Sequence, residues 1–174
     1  MKNVTLRQMR YFEALVRHGH FGRAAEACSV SQPALSVQIR DLEAELGTPL
    51  FERSARRVRL TGFGEAVAGP IRSALAAVDQ LGKALVRAMI AAAKADGKVD
   101  GEEKDAIFAR LNTMDLSPED KAFVFDELSA PLDINAVVDA ADTPEHAAEI
   151  YAASLVAIEI DTPAEQAYLQ MLAA

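Results

Sequence analysis

The segment Gln32–Leu46, QPALSVQIRDLEAEL, divides its residues between two sides of a helix. On one side the apolar residues are spaced by four, three and four positions, as in a buried helical stripe: Leu35, Ile39, Leu42 and Leu46. The other side, near the helix start, carries short side chains of mixed chemistry. A face that meets only water more often carries Glu and Lys, so the sequence predicts that this side contacts another molecule.

Two shorter helices are predicted before this segment. The first runs from about Thr5 to His18 and stops at Gly19, and the second covers Phe21–Cys28. A three-residue connection that ends in a serine, a good N-cap, leads from the second helix into the third. Two helices joined by so short a turn have the layout of a helix-turn-helix.

The exposed start of the third helix is predicted to read base edges in the major groove of DNA. Glutamine can pair with adenine, arginine with guanine or a phosphate, serine with either, and alanine or valine can pack on a thymine methyl. The residues of this side are Gln32, Ala34, Ser36, Val37 and Arg40. The alternative from spacing alone is a three-helix core with an ordinary polar surface.

The next stretch, TPLFERSARRVRLTG, predicts a small basic β-hairpin, or wing, because two short apolar pieces flank an arginine-rich turn. Arginines there would contact the DNA backbone or minor groove and add affinity with little sequence specificity. They are Arg53, Arg56, Arg57 and Arg59. Arg23, at the start of the second helix, could touch the same backbone.

The net charge of −8 is divided unevenly along the chain. Residues 1–87 hold 13 Lys and Arg against 8 Asp and Glu, whereas residues 88–174 hold 5 against 18. The asymmetry predicts two units, a basic one suited to an acidic partner and an acidic one kept soluble by self-repulsion.

After the wing, the sequence predicts only helices. A long helical stretch starts near Gly62 and reaches Ala95, with Pro70 as a predicted interruption, and later helices begin at proline-marked caps such as TPEH and TPAE. The single cysteine excludes an internal disulfide, and neither a membrane-length apolar run nor a signal peptide is apparent. A cytoplasmic protein with no membrane association is expected.

The portion AAEACSVSQPALSVQIRDLEAELGTPLFER resembles the winged helix-turn-helix of LysR-type transcriptional regulators, and the resemblance covers about residues 3–85. It implies a homodimer, or a higher oligomer, that binds an inverted repeat in double-stranded DNA. It adds Pro33 to the recognition face and places Val37 where a basic or polar residue is frequent in the family. It also implies that the helix after the wing pairs with its counterpart, through Ile71, Leu75, Val78, Leu81 and Leu85.

The second half departs from that family, whose members continue into a two-lobed α/β effector domain. LVRAMIAAAKADGKVDGEEKDAIFARL and AAEIYAASLVAIEIDTPAEQAYLQML resemble TerB-like helical domains of the YebE-like branch, over about residues 86–174. The expected fold is therefore mainly α: a winged helix-turn-helix in 1–61, a linker or dimerisation helix in 62–87 and an all-α TerB-like bundle in 88–174. With no effector domain, no small-molecule effector is expected.

One acidic turn, DGKVDGEE, invites a metal interpretation. Asp96, Asp100 and Glu103 could share a divalent cation, but the stretch lacks two ligands of an EF-hand loop, and a helix stop followed by a capping box is favoured. No cofactor is expected. The absence of a catalytic constellation argues against an enzyme.

Two hypotheses remain from the sequence. The first is a sequence-specific, dimeric DNA-binding transcription regulator. The second is a fusion, natural or engineered, in which the helical second half is an assembly or partner-docking module and DNA binding is secondary.

Overall fold

The computed structural model describes residues 3–52, 58–95, 97, 101, 109, 118–158, 160 and 162–173. The chain forms two compact units, residues 1–78 and residues 79–174. The chain is mainly helical, as predicted, and its described residues contain no strand longer than a single bridge.

The first unit begins with the three predicted helices, α1 (Leu6–His18), α2 (Phe21–Ala27) and α3 (Gln32–Leu46), and continues into α4 (Gly62–Ala93). Thr5 and Gln8 form a capping box at the start of α1, and Ser31 caps α3 by accepting a hydrogen bond from the amide of Ala34. Gly19 and Gly47 end α1 and α3 in the left-handed conformation, with φ of 60° and 72°.

The core of the first unit is built from the inner sides of these helices and from the start of the wing. The rings of Phe12 and Phe51 lie 5.4 Å apart, which joins α1 to the chain that follows α3. The remaining buried apolar residues are Leu15, Ala24, Ala25, Leu35, Ile39, Leu42, Leu50, Ala68 and Ile71. The stripe predicted for α3 is thus confirmed at Leu35, Ile39 and Leu42.

The predicted hairpin is represented, among the residues described around it, by one antiparallel bridge between Phe51 and Leu60. The amide of Glu52 donates to the carbonyl oxygen of Arg59, and that of Thr61 donates to Leu50, each at 2.9 Å. Residues 53–57, which include three of the predicted wing arginines, lie outside the described residues.

Helix α4 continues through Pro70, where the sequence predicted an interruption. Proline removes the amide that would bond the carbonyl oxygen of Ala66, but Ala66 and Pro70 are both exposed, so water can take that place. Burial of Ala68 and Ile71 on the opposite side holds the helix together across the missing bond.

The second unit contains the rest of α4 and four further helices among its described residues: α5 (Pro118–Ser129), α6 (Ile134–Val138), α7 (Pro144–Ala157) and α8 (Pro163–Leu172). The predicted caps at Thr143 and Thr162 are confirmed, since each hydroxyl accepts an amide hydrogen bond from the third residue of its helix. The end of α4 is buried on all sides from Ala88 to Ala93 and forms the centre of this unit.

A buried polar cluster fixes α7 and α8 against the end of α4. The hydroxyl of Tyr168 lies 3.3 Å from the carbonyl oxygen of Ala88, and the hydroxyl of Ser154 lies 3.4 Å from the same oxygen and 3.4 Å from the phenol. Ser154 also donates to the carbonyl oxygen of Ile150, so both hydroxyls have partners although the two side chains are almost fully buried.

Basic side chains in α4 and just after its end hold α5 in place. Arg87 pairs with Glu127 at 3.2 Å and lies over the ring of Phe123. The ammonium of Lys94 donates to the carbonyl oxygens of Glu127 and Ala130, at the end of α5, where a cation complements the helix dipole.

Candidate nucleic-acid interface

The outer side of α3 presents the predicted readout residues to solvent. Five of them are exposed and Ser36 is half-buried; the exposed ones are Gln32, Pro33, Ala34, Val37 and Arg40. Gln32, Ser36 and Arg40 are four residues apart, so they form one row about 12 Å long on the helix surface. The row ends in Arg40, whose Nε donates to the carbonyl oxygen of Ser36 at 3.3 Å. This bond directs the side chain of Arg40 back along the helix.

A turn in a restricted conformation connects α2 to α3. Ser29 has φ of 54°, a left-handed value that a residue with a side chain seldom adopts. The amide of Val30 donates to the carbonyl oxygen of Ala25 at 2.9 Å, which closes the turn behind α2. Cys28 packs half-buried beside it, and burial raises the pKa of its thiol, so the thiol stays protonated at neutral pH.

The row of α3 borders an open cavity of about 510 Å³ within the first unit. Residues at the start of α2 and on both sides of the wing base complete its lining: His20, Phe21, Phe51, Glu52 and Val58. The cavity therefore brings three predicted readout residues together with the wing, as a winged helix-turn-helix requires for a continuous surface.

His20 caps α2, a role that the sequence analysis did not predict. Its Nδ1 accepts a hydrogen bond from the amide of Gly22 at 3.0 Å. This bond requires an unprotonated Nδ1, so the proton of the neutral ring is on Nε2. The clue in the sequence is its position, one residue before a helix start, where side-chain acceptors are common.

The two described backbone arginines differ in their surroundings. Arg23 is exposed, and its Nη2 donates to the carbonyl oxygen of His18 at 2.9 Å, at the end of α1. Arg59 is exposed in the returning segment of the wing. The predicted contacts of Arg53, Arg56 and Arg57 fall outside the described residues.

Glu43 holds the wing to α3 and was also missed by the sequence interpretation. Its Oε1 accepts hydrogen bonds from the amides of Leu50 at 2.7 Å and Phe51 at 3.2 Å. The hydroxyl of Thr61 donates to the carbonyl oxygen of Pro49 and accepts from the amide of Gly64, which starts α4 beside the same segment. The carboxylate thereby satisfies two backbone donors that an isolated bridge leaves unpaired.

The residues predicted for a dimer seam occupy different surroundings along α4. Ile71 is buried in the core of the first unit and Leu75 packs against it, whereas Leu85 packs against the core of the second unit. Leu81 is half-buried and Val78 is 36% exposed. The five residues from Ala76 to Gln80 are all exposed.

The described residues contain no group of three His, Cys, Asp or Glu side chains that could hold a metal ion. The candidate ligands Asp96, Asp100 and Glu103 lie outside them. No helix in the described part of the chain is both long and apolar enough to cross a membrane.

Curated relatives match the N-terminal part of the chain. It is 59% identical over 61 residues to the HTH-type transcriptional regulator BudR of Klebsiella aerogenes, and the match covers 35% of this chain and 43% of BudR. It is 46% identical over 92 residues to the SDS degradation transcriptional activation protein of Pseudomonas sp., or 47% of this chain and 30% of that protein. The chain therefore spans less than half the length of these relatives, which are named as regulators rather than enzymes.

Solved structures match the same part. The BenM DNA-binding domain in complex with benA site 1 DNA is 42% identical, with a TM-score of 0.44, and the match covers 44% of this chain and 86% of that one. The full-length OxyR of Pseudomonas aeruginosa is 47% identical, with a TM-score of 0.43, and the match covers 44% and 26%.

The sequence identities to transcriptional regulators support the LysR-type helix-turn-helix that the resemblance implied for the first unit. The TerB-like character of the second half and its origin by fusion stay predictions. A protein-family model described as "Protein of unknown function (DUF533)" matches residues 21–174. Because this match covers most of its length, the chain belongs to the DUF533 family.

Proposed function

We propose that the protein is a transcription regulator whose first unit binds double-stranded DNA in a sequence-dependent manner. The observation that carries this proposal is the exposed row Gln32, Ser36 and Arg40, on a helix whose opposite side is locked into the core. A row about 12 Å long on an α-helix fits the major groove, which admits one helix. The identity to named transcriptional regulators supports the same proposal.

Within this proposal, α3 and the wing have different roles. Gln32 pairs with an adenine, Arg40 contacts a guanine or a phosphate, and the exposed Val37 packs on a thymine methyl. Arg59 and its neighbours in the wing neutralise phosphates and set the affinity. Since the second unit is helical in its described part, where LysR-type regulators carry a sensor, the binding needs no small-molecule inducer.

We also propose that the DNA-bound form is a homodimer joined through α4. The stretch from Ala76 to Gln80 is exposed, and Val78 and the neighbouring Leu81 supply apolar side chains for a second helix. Val78→Asp is expected to shift the sedimentation mass toward the monomer. Gln80→Asp adds the same charge on another side of the helix and should leave the dimer intact. Equal behaviour of the two variants would exclude this seam.

The DNA-binding proposal is tested by selecting bound sequences from a random pool and then titrating salt against the best site. An inverted repeat is expected from a symmetric dimer. Replacing Arg56 and Arg57 with Ala should reduce the slope of log affinity against log salt by about two, because each lost phosphate contact removes about 0.9. Lys121→Ala removes a charge from α5 in the second unit and is the control.

Base readout needs a separate variant. Gln32→Ala should lower the affinity for the selected site by about 1–3 kcal/mol and relax the preference at one base pair, with the salt slope unchanged. An affinity that is the same for every DNA sequence would refute the proposal. So would a slope of log affinity against log salt that is unchanged when Arg56 and Arg57 are replaced.

A further inference from the structure

Helix α7 is apolar on two opposite sides, although only one of them is buried. Its inner side consists of Ile150, Ser154 and Ala157. Its outer side carries a row of exposed apolar residues, which we name the α7 outer face: Ala148, Ala152, Leu155 and Val156. Val156 is 66% exposed, although valine is among the residues most often buried in folded proteins. Helices that are apolar all round are normally covered on every side.

The helix cannot turn to hide this face. Ser154 is held at 3.4 Å from the carbonyl oxygen of Ala88, and this hydroxyl is fully buried beside the phenol of Tyr168. Rotating α7 to bury Val156 would pull Ser154 out of the cluster and leave buried polar groups unpaired, which is costly. The outer face is therefore fixed toward the surface of the unit. Ala152 follows Ala148 by four positions, and Leu155 and Val156 follow Ala152 by three and four, so the residues share one side of the helix, where a second helix can pack.

The charge around the face restricts its occupant. Residues 122–174 contain ten Asp and Glu and no Lys or Arg. Glu145 and Glu149, both exposed, stand on α7 itself beside Ala148 and Ala152. A second copy of this unit would bring like charges together, and an anionic lipid surface would be repelled in the same way. A partner that carries Lys or Arg beside its apolar residues would be attracted.

We propose that the α7 outer face docks a basic amphipathic helix of another protein. The apolar stripe of that helix packs on Leu155 and Val156, and its Lys or Arg residues pair with Glu145 and Glu149, a combination of apolar anchors and complementary charge that amphipathic-helix recognition uses. This inference does not depend on DNA binding by the first unit and stands or falls separately.

The test uses the full chain and a labelled synthetic peptide of about five helical turns, with leucine every third or fourth residue and Lys or Arg elsewhere. Fluorescence anisotropy at physiological ionic strength measures the affinity. A scrambled peptide of the same composition lacks the apolar stripe, and a third peptide has Glu in place of every Lys and Arg. Both are expected to bind at least about tenfold more weakly than the first.

Matched variants locate the site without changing the net charge. The double change Leu155→Ser and Val156→Ser should weaken the peptide at least about tenfold, whereas Val138→Ser, at a 47% exposed position of α6, should leave it within about twofold. Thermal unfolding monitored by circular dichroism verifies that the variants are folded. Amide chemical shifts of the wild-type protein should change mainly in α7 on adding the peptide.

Several results would overturn the proposal. Equal binding of the scrambled peptide would mean plain charge attraction, and equal binding of the acidic peptide would remove the charge argument. Peptide-induced shifts elsewhere would place the site on another surface. A sedimentation mass that falls in the serine double variant would assign the face to a second copy, and binding to phosphatidylserine vesicles that the same variant loses would assign it to a membrane.

Discussion

The carboxylate of Glu43, in the last turns of α3, accepts a 2.7 Å hydrogen bond from the amide of Leu50. The same oxygen accepts from the amide of Phe51, so one side chain holds two consecutive backbone donors of the wing. The proposed recognition helix and the wing are therefore joined by an ionised acceptor as well as by apolar packing. Hydrogen bonds to charged groups are among the stronger ones in proteins.

Replacing Glu43 with Ala is expected to destabilise the first unit by about 1–3 kcal/mol, because two amides at the edge of the core lose their acceptor. Amide hydrogen exchange in α1–α3 measures this loss separately from the second unit. Glu43→Gln keeps a carbonyl oxygen at the same position and should cost less than half as much. Equal losses in the two variants would show that the charge, and not the acceptor, holds the wing.

A glycine in the first turn of α4 is expected to be irreplaceable. A Cβ on Gly64 would collide with the carbonyl oxygen of Leu50 and lie 2.9 Å from Cδ2 of Leu60, so Gly64→Ala must displace either the wing or the helix. Gly69 is the matched control, since a Cβ there meets open space in the same helix. Gly69→Ala should stabilise the protein by about 0.5–1 kcal/mol.

Chemical denaturation of the two alanine variants measures both effects. Gly64→Ala should unfold at lower denaturant concentration than the wild type, and Gly69→Ala at higher concentration. A Gly64→Ala variant as stable as Gly69→Ala would contradict the close approach of α4 to the wing.

Local signals were enough to predict many elements of both units. The caps at Thr143, Thr162 and Ser31, the stops at Gly19 and Gly47 and the buried stripe of α3 all follow from residues within a few positions of one another. Such patterns act within one or two helical turns, so the sequence carries them directly.

Contacts between distant residues could not be predicted. Glu43 looks like any solvated glutamate until the chain turns back and brings Leu50 to it. Ser154 and Tyr168 meet the carbonyl oxygen of Ala88 across 66 and 80 residues, and no spacing rule connects them. Pro70 failed as a helix break because the packing of its neighbours outweighed its local preference.

The end of α5 is expected to depend on Lys94. Lys94→Met removes the donor for the carbonyl oxygens of Glu127 and Ala130 and the positive charge at the helix end, at a cost of about 1 kcal/mol. Faster amide exchange in the last turn of α5 is the measurement. Lys121→Met removes an exposed charge from the same helix and should change little. Similar exchange in both variants would refute the capping role.

Tyr168 is expected to make the second unit sensitive to alkaline pH. Burial raises the pKa of its phenol, and the hydrogen bond with Ser154 opposes this only in part. The folded state then holds the proton above pH 10, where the unfolded chain releases it, so stability is constant below about pH 10 and falls above it. Tyr168→Phe should cost about 1 kcal/mol at neutral pH through its lost hydrogen bond and should remove this part of the alkaline decline.

Urea unfolding of the wild type and of Tyr168→Phe at a series of pH values isolates the phenol, because every other titrating group is common to both proteins. Lys94 is one such group: burial lowers its pKa, so its titration contributes stability that rises with pH, opposite in sign to Tyr168. Tyr151→Phe, at a half-buried position against the same core, controls for deleting a tyrosine hydroxyl. The difference between wild type and Tyr168→Phe should therefore shrink above pH 10, and a difference that stays constant to higher pH would mean that the buried phenol does not resist ionisation.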